Sequence, residues 1–221
     1  MPRPAPERVT RVVLTRELIV HTAVELVERR GPAALSMRAV GEELGVSAMA
    51  MYRHVASKDE LVAGIAEYVM TTLDVPEPDV PEADWKDGAR SLMRAFRAIA
   101  QEYPRSLALA LESRTGIPVA LRAIERALSL CARAGLDGPT SVHVMRSLMA
   151  YTLGSQLREA GMGRLLSRQA ADPAETVRSL EPARFPHVVA LPDELVDHGS
   201  DADFEFGLEL FLSSVEPMRA P

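Results

Sequence analysis

Residues 47–54 read Ser-Ala-Met-Ala-Met-Tyr-Arg-His, with Arg38 nine residues before them and Lys58 four residues after. These types suit nucleic-acid recognition better than covalent chemistry. An arginine can pair bidentately with guanine, cations and hydroxyls can hold phosphates, and apolar groups such as Met49 and Ala50 can touch a thymine methyl. On a wheel of about 100° per residue, Ala48, Met51, Tyr52 and Val55 share one side, while Met49, Ala50, Arg53 and His54 lie opposite. The first set predicts a packed face and the second an exposed one. An ordinary helical hairpin whose Met49 is covered by the rest of the protein is the competing reading. The chain has no asparagine, and no glutamine before Gln101, so the usual bidentate partners of adenine are missing from this stretch. Arg38 is left as the main candidate for guanine. Arg53 suits a phosphate as well as a base, and His54 could equally donate to a phosphate through its ring N–H.

Other chemistries find less support. The five histidines, His21, His54, His143, His187 and His198, are scattered, with neither metal-ligand spacing nor a nucleophile motif beside them. An all-α enzyme is therefore a remote alternative. A single cysteine, Cys131, excludes an internal disulfide and a cysteine-rich metal site, and points to a reducing compartment. No apolar run suits a signal peptide or a membrane span, so the expected protein is cytoplasmic, with no membrane partner. The net charge of −6 is unevenly placed. Residues 1–58 hold nine basic and six acidic side chains, and the remainder holds 16 and 25. A mildly basic module on an acidic body is the asymmetry expected where one part meets a polyanion.

The elements that must position these groups are helical throughout, and the fold class is all-α. Thr15 is placed to cap a helix running to Arg30 before Gly31-Pro32. Ser36 opens a short helix that closes at Gly45, and the stretch quoted above follows. Ser57 with Glu60 forms a capping box that starts a helix reaching about Leu73. Two short helices about a glycine turn have the dimensions of a helix-turn-helix, whose second helix enters the major groove. Residues 74–84 form an acidic, proline-rich connector. Helical patterning then runs from Trp85 to about Ala160, with breaks at Tyr103-Pro104, Gly116-Ile117-Pro118 and residues 135–139. Residues 161–200 read as mixed loop with a short helical turn, and a last helix covers about Asp203 to Glu216. The domains are a disordered arm over 1–14, a DNA-binding domain over 15–73 and a helical ligand-binding and dimerisation domain over 74–221. Arg3, Arg8 and Arg11 on the arm could follow a minor groove, although a solvated tail is the more economical reading.

The run TRELIVHTAVELVERRGPAALSMRAVGEELGVSAMAMYRHVASKDELV resembles the N-terminal domain of the TetR family of transcriptional regulators in its LGVS turn, its Tyr-x-His-Val element and its Lys-Asp-Glu-Leu helix start. The segments DWKDGARSLMRAFRA, AYTLGSQL and FEFGLELFL are similar to the C-terminal domain of the tetracycline repressor subgroup. The resemblance implies a base contact for Arg38, phosphate contacts for Tyr52 and Lys58, and a DNA-facing position for His54. Together with Ser47, Ala48, Met49, Ala50 and Arg53 these form the expected DNA surface. Ala48, Met49 and Ala50 replace polar reading residues of the tetracycline repressor, so a different operator is expected.

In the C-terminal part, Met145, Met149, Thr152, Leu153 and Gln156 share a helical face with Val142, and Leu92, Met93 and Phe96 lie on an opposing helix. They are the candidate ligand site, against the plainer reading as core. Thr152 and Gln156 could orient a small molecule. Phe96 matches a ligand-contacting aromatic of the subgroup. Leu92, Ala110 and Arg158 stand where that subgroup binds the drug and its magnesium, which implies an apolar ligand with no metal and no cofactor. For the homodimer, Ser147, Ala150 and Gly154 offer a small-residue face. The last helix is apolar on two sides, Phe204, Leu208, Phe211, Leu212 and Val215 on one and Phe206 and Leu210 on the other, with Glu205 and Glu209 left to solvent. The expected function is a repressor that binds a palindromic double-stranded operator as a dimer and is released by an unknown small-molecule ligand. A dimeric ligand-binding module without operator-specific DNA binding is the alternative.

Overall fold

The computed structural model describes residues 13–72, 84–112, 117–166, 172–197 and 200–218, and these contain helices and no strand. The expected arm arginines, most of the acidic connector, and His198 lie outside them. Two compact units emerge, one drawn from Met1–Thr72 and Tyr103–Ala120, the other from Leu73–Glu102 and Leu121–Pro221.

In the first unit, α1 (Arg16–Arg30) starts at Thr15, whose hydroxyl accepts from Leu18 N at 3.2 Å. Ser36 caps α2 (Met37–Glu43) through Ala39 N, and Ser47 caps α3 (Ala48–Met51) through Ala50 N. Ser57 caps α4 (Lys58–Thr71), and Glu60 reaches back to accept from Ala56 N at 2.6 Å. These caps fix helix starts because they satisfy amides that have no partner inside the helix. Helix α6 (Pro104–Glu112) packs on α1 and α4. Its N-terminus has an unusual cap: the Glu28 carboxylate on α1 accepts from Ser106 N at 2.7 Å and Arg105 N at 3.3 Å. The core of the unit is aliphatic, with Ile19, Leu26, Val40, Met51, Leu61 and Ile65 fully buried. Each contributes about 1.5–3 kcal/mol by removal from water.

The second unit begins with α5 (Trp85–Glu102), which packs on α8 (Gly138–Leu166); α8 in turn packs on α12 (Ser200–Val215). Between them in sequence lie α7 (Ile117–Arg133) and three short helices, α9 (Pro173–Arg178), α10 (Pro186–Val189) and α11 (Pro192–Val196), and a 3₁₀ turn, Glu216–Met218, ends the described chain. Two expectations need correction here. Helix α8 continues past Ala160 to Leu166, and the region read as loop with one turn holds three helices. Their prolines open them: at the first helical position proline loses no hydrogen bond and has the right φ.

Candidate nucleic-acid interface and sensing bundle

The close approach of α2 to α3 depends on Gly41. A Cβ there would lie 2.9 Å from the Val46 carbonyl oxygen and 3.2 Å from Met51 Sδ. With Gly45 at φ 67° making the turn and Val46 N donating to Gly41 O at 2.8 Å, α3 is locked against α2. Met51 and Val55 face inward and are buried, as the wheel requires. Met49, opposite, is 76% exposed.

The wheel fails at Tyr52, which is exposed, and at Ala50, which is half-buried like Ala48. The helix that the wheel carries on to Val55 ends at Met51, and His54 N donates to Met51 O at 2.8 Å in a tighter turn. Tyr52 is the C-cap of α3, its own N still donating to Ala48 O at 3.1 Å, and the chain leaves the helix there, so the wheel no longer decides which side chains are covered. Tyr52, Arg53 and His54 therefore stand together at the surface beside Met49, with Ser47 and Lys58 also exposed. Arg53 and Lys58 have no hydrogen-bond or ion-pair partner among the described residues. Arg38 does: its Nε donates to Glu42 Oε1 at 2.7 Å, and that bond holds its pKa above the ordinary arginine range.

In the second unit Leu92, Met93 and Phe96 are buried on α5. On α8, Met145, Met149, Leu153 and Gln156 are half-buried and Thr152 fully so. The polar pair expected to orient a ligand is engaged within the chain. Thr152 Oγ1 donates to Leu148 O at 3.0 Å, and Gln156 Nε2 donates to Glu159 Oε2 at 3.3 Å. Arg158 pairs with Asp203 at 2.7 Å.

Glu205 and Glu209 are not left to solvent. Arg90 Nε and Nη2 donate to the two oxygens of Glu209 at 2.6 and 3.0 Å, Arg94 does the same to Glu205 at 2.8 Å, and Arg97 Nη2 donates to Asp201 at 2.8 Å. Lys86 bonds Glu216 beyond the end of α12. These rungs run antiparallel along α5 and α12. Hydrogen bonds from Arg94 and Arg90 hold the Glu205 and Glu209 carboxyls below the ordinary range. Arg97, 5% exposed, also donates to Glu159 at 2.8 Å and Ser155 at 3.2 Å and lies 4.5 Å from the Phe204 ring centroid. Burial opposes its charge, and the bonds to Asp201 and Glu159 more than offset it, so its pKa is raised.

The assignment of α12 to a partner also changes. Phe204, Leu208, Leu212 and Val215 are buried within this chain, and Phe211 is half-buried 5.2 Å from the Tyr151 ring. Phe204, Leu208, Leu212 and Val215 pack in the chain's own bundle and are not free for a second copy, whereas Phe211 is only partly covered. Phe206 at 70% and Leu210 at 57% remain exposed. On α8, Ser147, Ala150 and Gly154 are exposed, together with Leu157, which the spacing argument passed over.

Residues 19–65 match the family described as bacterial regulatory proteins, tetR family, and residues 77–219 match the tetracyclin repressor-like C-terminal domain. The chain belongs to the TetR family. Its relatives include the class C tetracycline repressor protein of Escherichia coli, 26% identical over 93% of this chain and 92% of that protein. Another is the HTH-type transcriptional repressor DrrR1 of Streptomyces coeruleorubidus, 27% identical over 97% and 82%. Among solved structures, apo ActR of Streptomyces coelicolor superposes with a TM-score of 0.76 at 25% identity, covering 93% of this chain and 96% of that one. ActR in complex with actinorhodin superposes with a TM-score of 0.74, also at 25% identity, over 92% and 97%. As a TetR-family transcriptional regulator the chain carries a helix-turn-helix in α2 and α3. Among the described residues no helix is long and apolar enough to cross a membrane, and no group of three or more acidic, histidine or cysteine side chains could hold a metal.

Proposed function

We propose that this TetR-family protein is a repressor that binds a palindromic operator as a homodimer and leaves it when a small, largely apolar molecule binds the bundle of α5 and α8. The observation that carries the DNA half is the surface at and just after α3, where Met49, Tyr52, Arg53 and His54 are exposed and, among the described residues, Arg53 and Lys58 have no partner. Met49 meets a thymine methyl, Arg38 reads guanine, and Tyr52 and Lys58 hold phosphates, with Ser47, Ala48 and Ala50 close to the bases. The chain itself is acidic overall, so binding depends on this local surface.

The dimer uses the exposed side of α12, Phe206 and Leu210, with Ser147, Ala150, Gly154 and Leu157 of α8. Large apolar groups left in water on adjoining helices favour burial against a second copy. The ligand contacts the apolar side chains of Leu92, Met93, Phe96, Met145, Met149 and Leu153, and the relative ActR forms a complex with a small molecule, actinorhodin. The polypeptide passes between the two units at residues 102–103, so displacement of α5 is carried by the chain into α6, which Glu28 ties to α1. Release needs a preference and not mere affinity: moving the DNA-competent population from 99:1 to 1:99 takes about 5.5 kcal/mol of differential binding.

Selection of bound duplexes from a random pool tests the reading. An inverted repeat with half-site centres about one DNA turn, roughly 34–36 Å, apart is expected, with affinity falling steeply as salt rises. Recovery of unrelated sequences, or binding that salt leaves unchanged, would refute it.

A further inference from the structure

Arg38 differs from Arg53 and Lys58 in already having a partner. Its Nε donates to Glu42 Oε1 at 2.7 Å, one turn farther along α2. Packing does not hold the guanidinium, because the Arg38 side chain is 86% exposed and that of Glu42 is 63% exposed. Neighbouring Glu43 is engaged elsewhere, with Arg29 at 2.9 Å and Arg30 at 3.2 Å on α1. A long side chain with no packing loses much rotamer freedom when it is fixed against a base, and a bond formed beforehand removes part of that loss.

The atom used also matters. A guanidinium can offer a bidentate acceptor either its Nε and one Nη or its two Nη groups. With Nε bonded to Glu42, the edge left for guanine O6 and N7 is the pair of Nη groups. We propose that Glu42 is a positioning residue for base reading: it holds Arg38 end-on and so sets the guanine preference at one base pair of each half-site. This rests on the DNA-reading function proposed above. The carboxylate also repels phosphates, so Glu42 lowers affinity for unrelated DNA while it sharpens discrimination. That combination separates positioning from a general contribution to the fold.

The test uses the full-length protein, the duplex obtained by selection, and versions of it changed symmetrically at each half-site position. Binding is read by fluorescence anisotropy for wild type, Glu42→Ala, Glu42→Gln, Arg38→Ala and the Arg38→Ala/Glu42→Ala double variant. Glu42→Ala is expected to cut the preference at one base pair about twofold, which is what an exposed i,i+4 pair can transmit, and to tighten binding to an unrelated duplex. Glu42→Gln keeps an acceptor oxygen and should restore part of the preference. In the Arg38→Ala background the Glu42 change should leave the preference untouched. A merely structural residue would weaken all duplexes by one factor and lower the Tm. If Glu42→Ala leaves the preference unchanged, or alters it equally without Arg38, the proposal falls while DNA reading stands. If the wild type prefers no sequence at all, both fall together.

Discussion

The basic residues at the end of α3 and those along α5 meet opposite fates. On α5, Arg90, Arg94 and Arg97 are each bonded to an acid of α12, so the fold itself uses their hydrogen-bonding capacity. On and after α3, Arg53 and Lys58 have no partner among the described residues and Met49 is exposed, although Gly41, Met51 and Val55 fix the backbone that carries them. Rigid backbone with unengaged side chains is suited to an external ligand; engaged side chains are suited to holding helices in register. The difference locates recognition in the first unit and mechanical integrity on the charged face of the second.

Four tests would break or sharpen that contrast. The largest effect is expected on the exposed side of α12, where Phe206→Glu or Leu210→Glu should give a monomer by light scattering. Operator affinity should then fall on the order of 10²- to 10⁴-fold through lost bivalency, with the helical circular dichroism kept because neither side chain is buried. A stable dimer would remove α12 from the interface. Next, Arg97→Ala should destabilise the chain by about 3 kcal/mol in denaturant, because it leaves the partly buried Glu159 without its cation. Arg94→Ala, on a more exposed rung, should cost under about 1 kcal/mol. Equal losses would mean that burial does not rank these pairs.

Smaller still, Met49→Ala should weaken binding by about 1 kcal/mol at a T·A pair in each half-site and leave the Tm unchanged, since Met49 packs on little. Loss of stability there would make Met49 part of the core. The least effect concerns pH. The Glu205 and Glu209 carboxyls are held below the ordinary value of about 4.3 by Arg94 and Arg90. Their contribution is complete above that value and is lost as pH falls through the depressed folded values, so stability should drop below about pH 4. The Glu205→Gln/Glu209→Gln variant should show a shallower drop in urea melts at matched pH, and an identical profile would show that these rungs do not titrate on unfolding.

Much of the first unit was legible because its determinants are local. Thr15, Ser36 and Ser57 cap the helices that their spacing predicts, and Gly45 makes the turn. Tyr52 was not, because it follows the last residue of a four-residue helix, where helical spacing no longer says which side chains are covered. The ladder escaped for another reason. Arg90 and Glu209 are 119 residues apart, and nothing in the periodicity of either helix says that they meet. Glu28 at the start of α6 and the buried Arg97 are long-range in the same way. For α12 the two apolar sides were visible, while which one the chain itself would cover was not; α8 and Tyr151 settle it in favour of Phe204. The helices within 161–200 are short and each opens on a proline, Pro173, Pro186 or Pro192, a residue that marks a helix start as readily as a loop.

The central claim is that the two units are coupled, ligand in one and DNA on the other. The direct measurement takes an apolar compound found to raise the Tm of the wild-type chain and determines its Kd by calorimetry with and without saturating operator duplex, in chelator throughout. The account predicts that operator weakens compound binding by the same factor by which the compound weakens operator binding, as linkage demands, and that magnesium changes neither. Equal compound affinities with and without operator would contradict it.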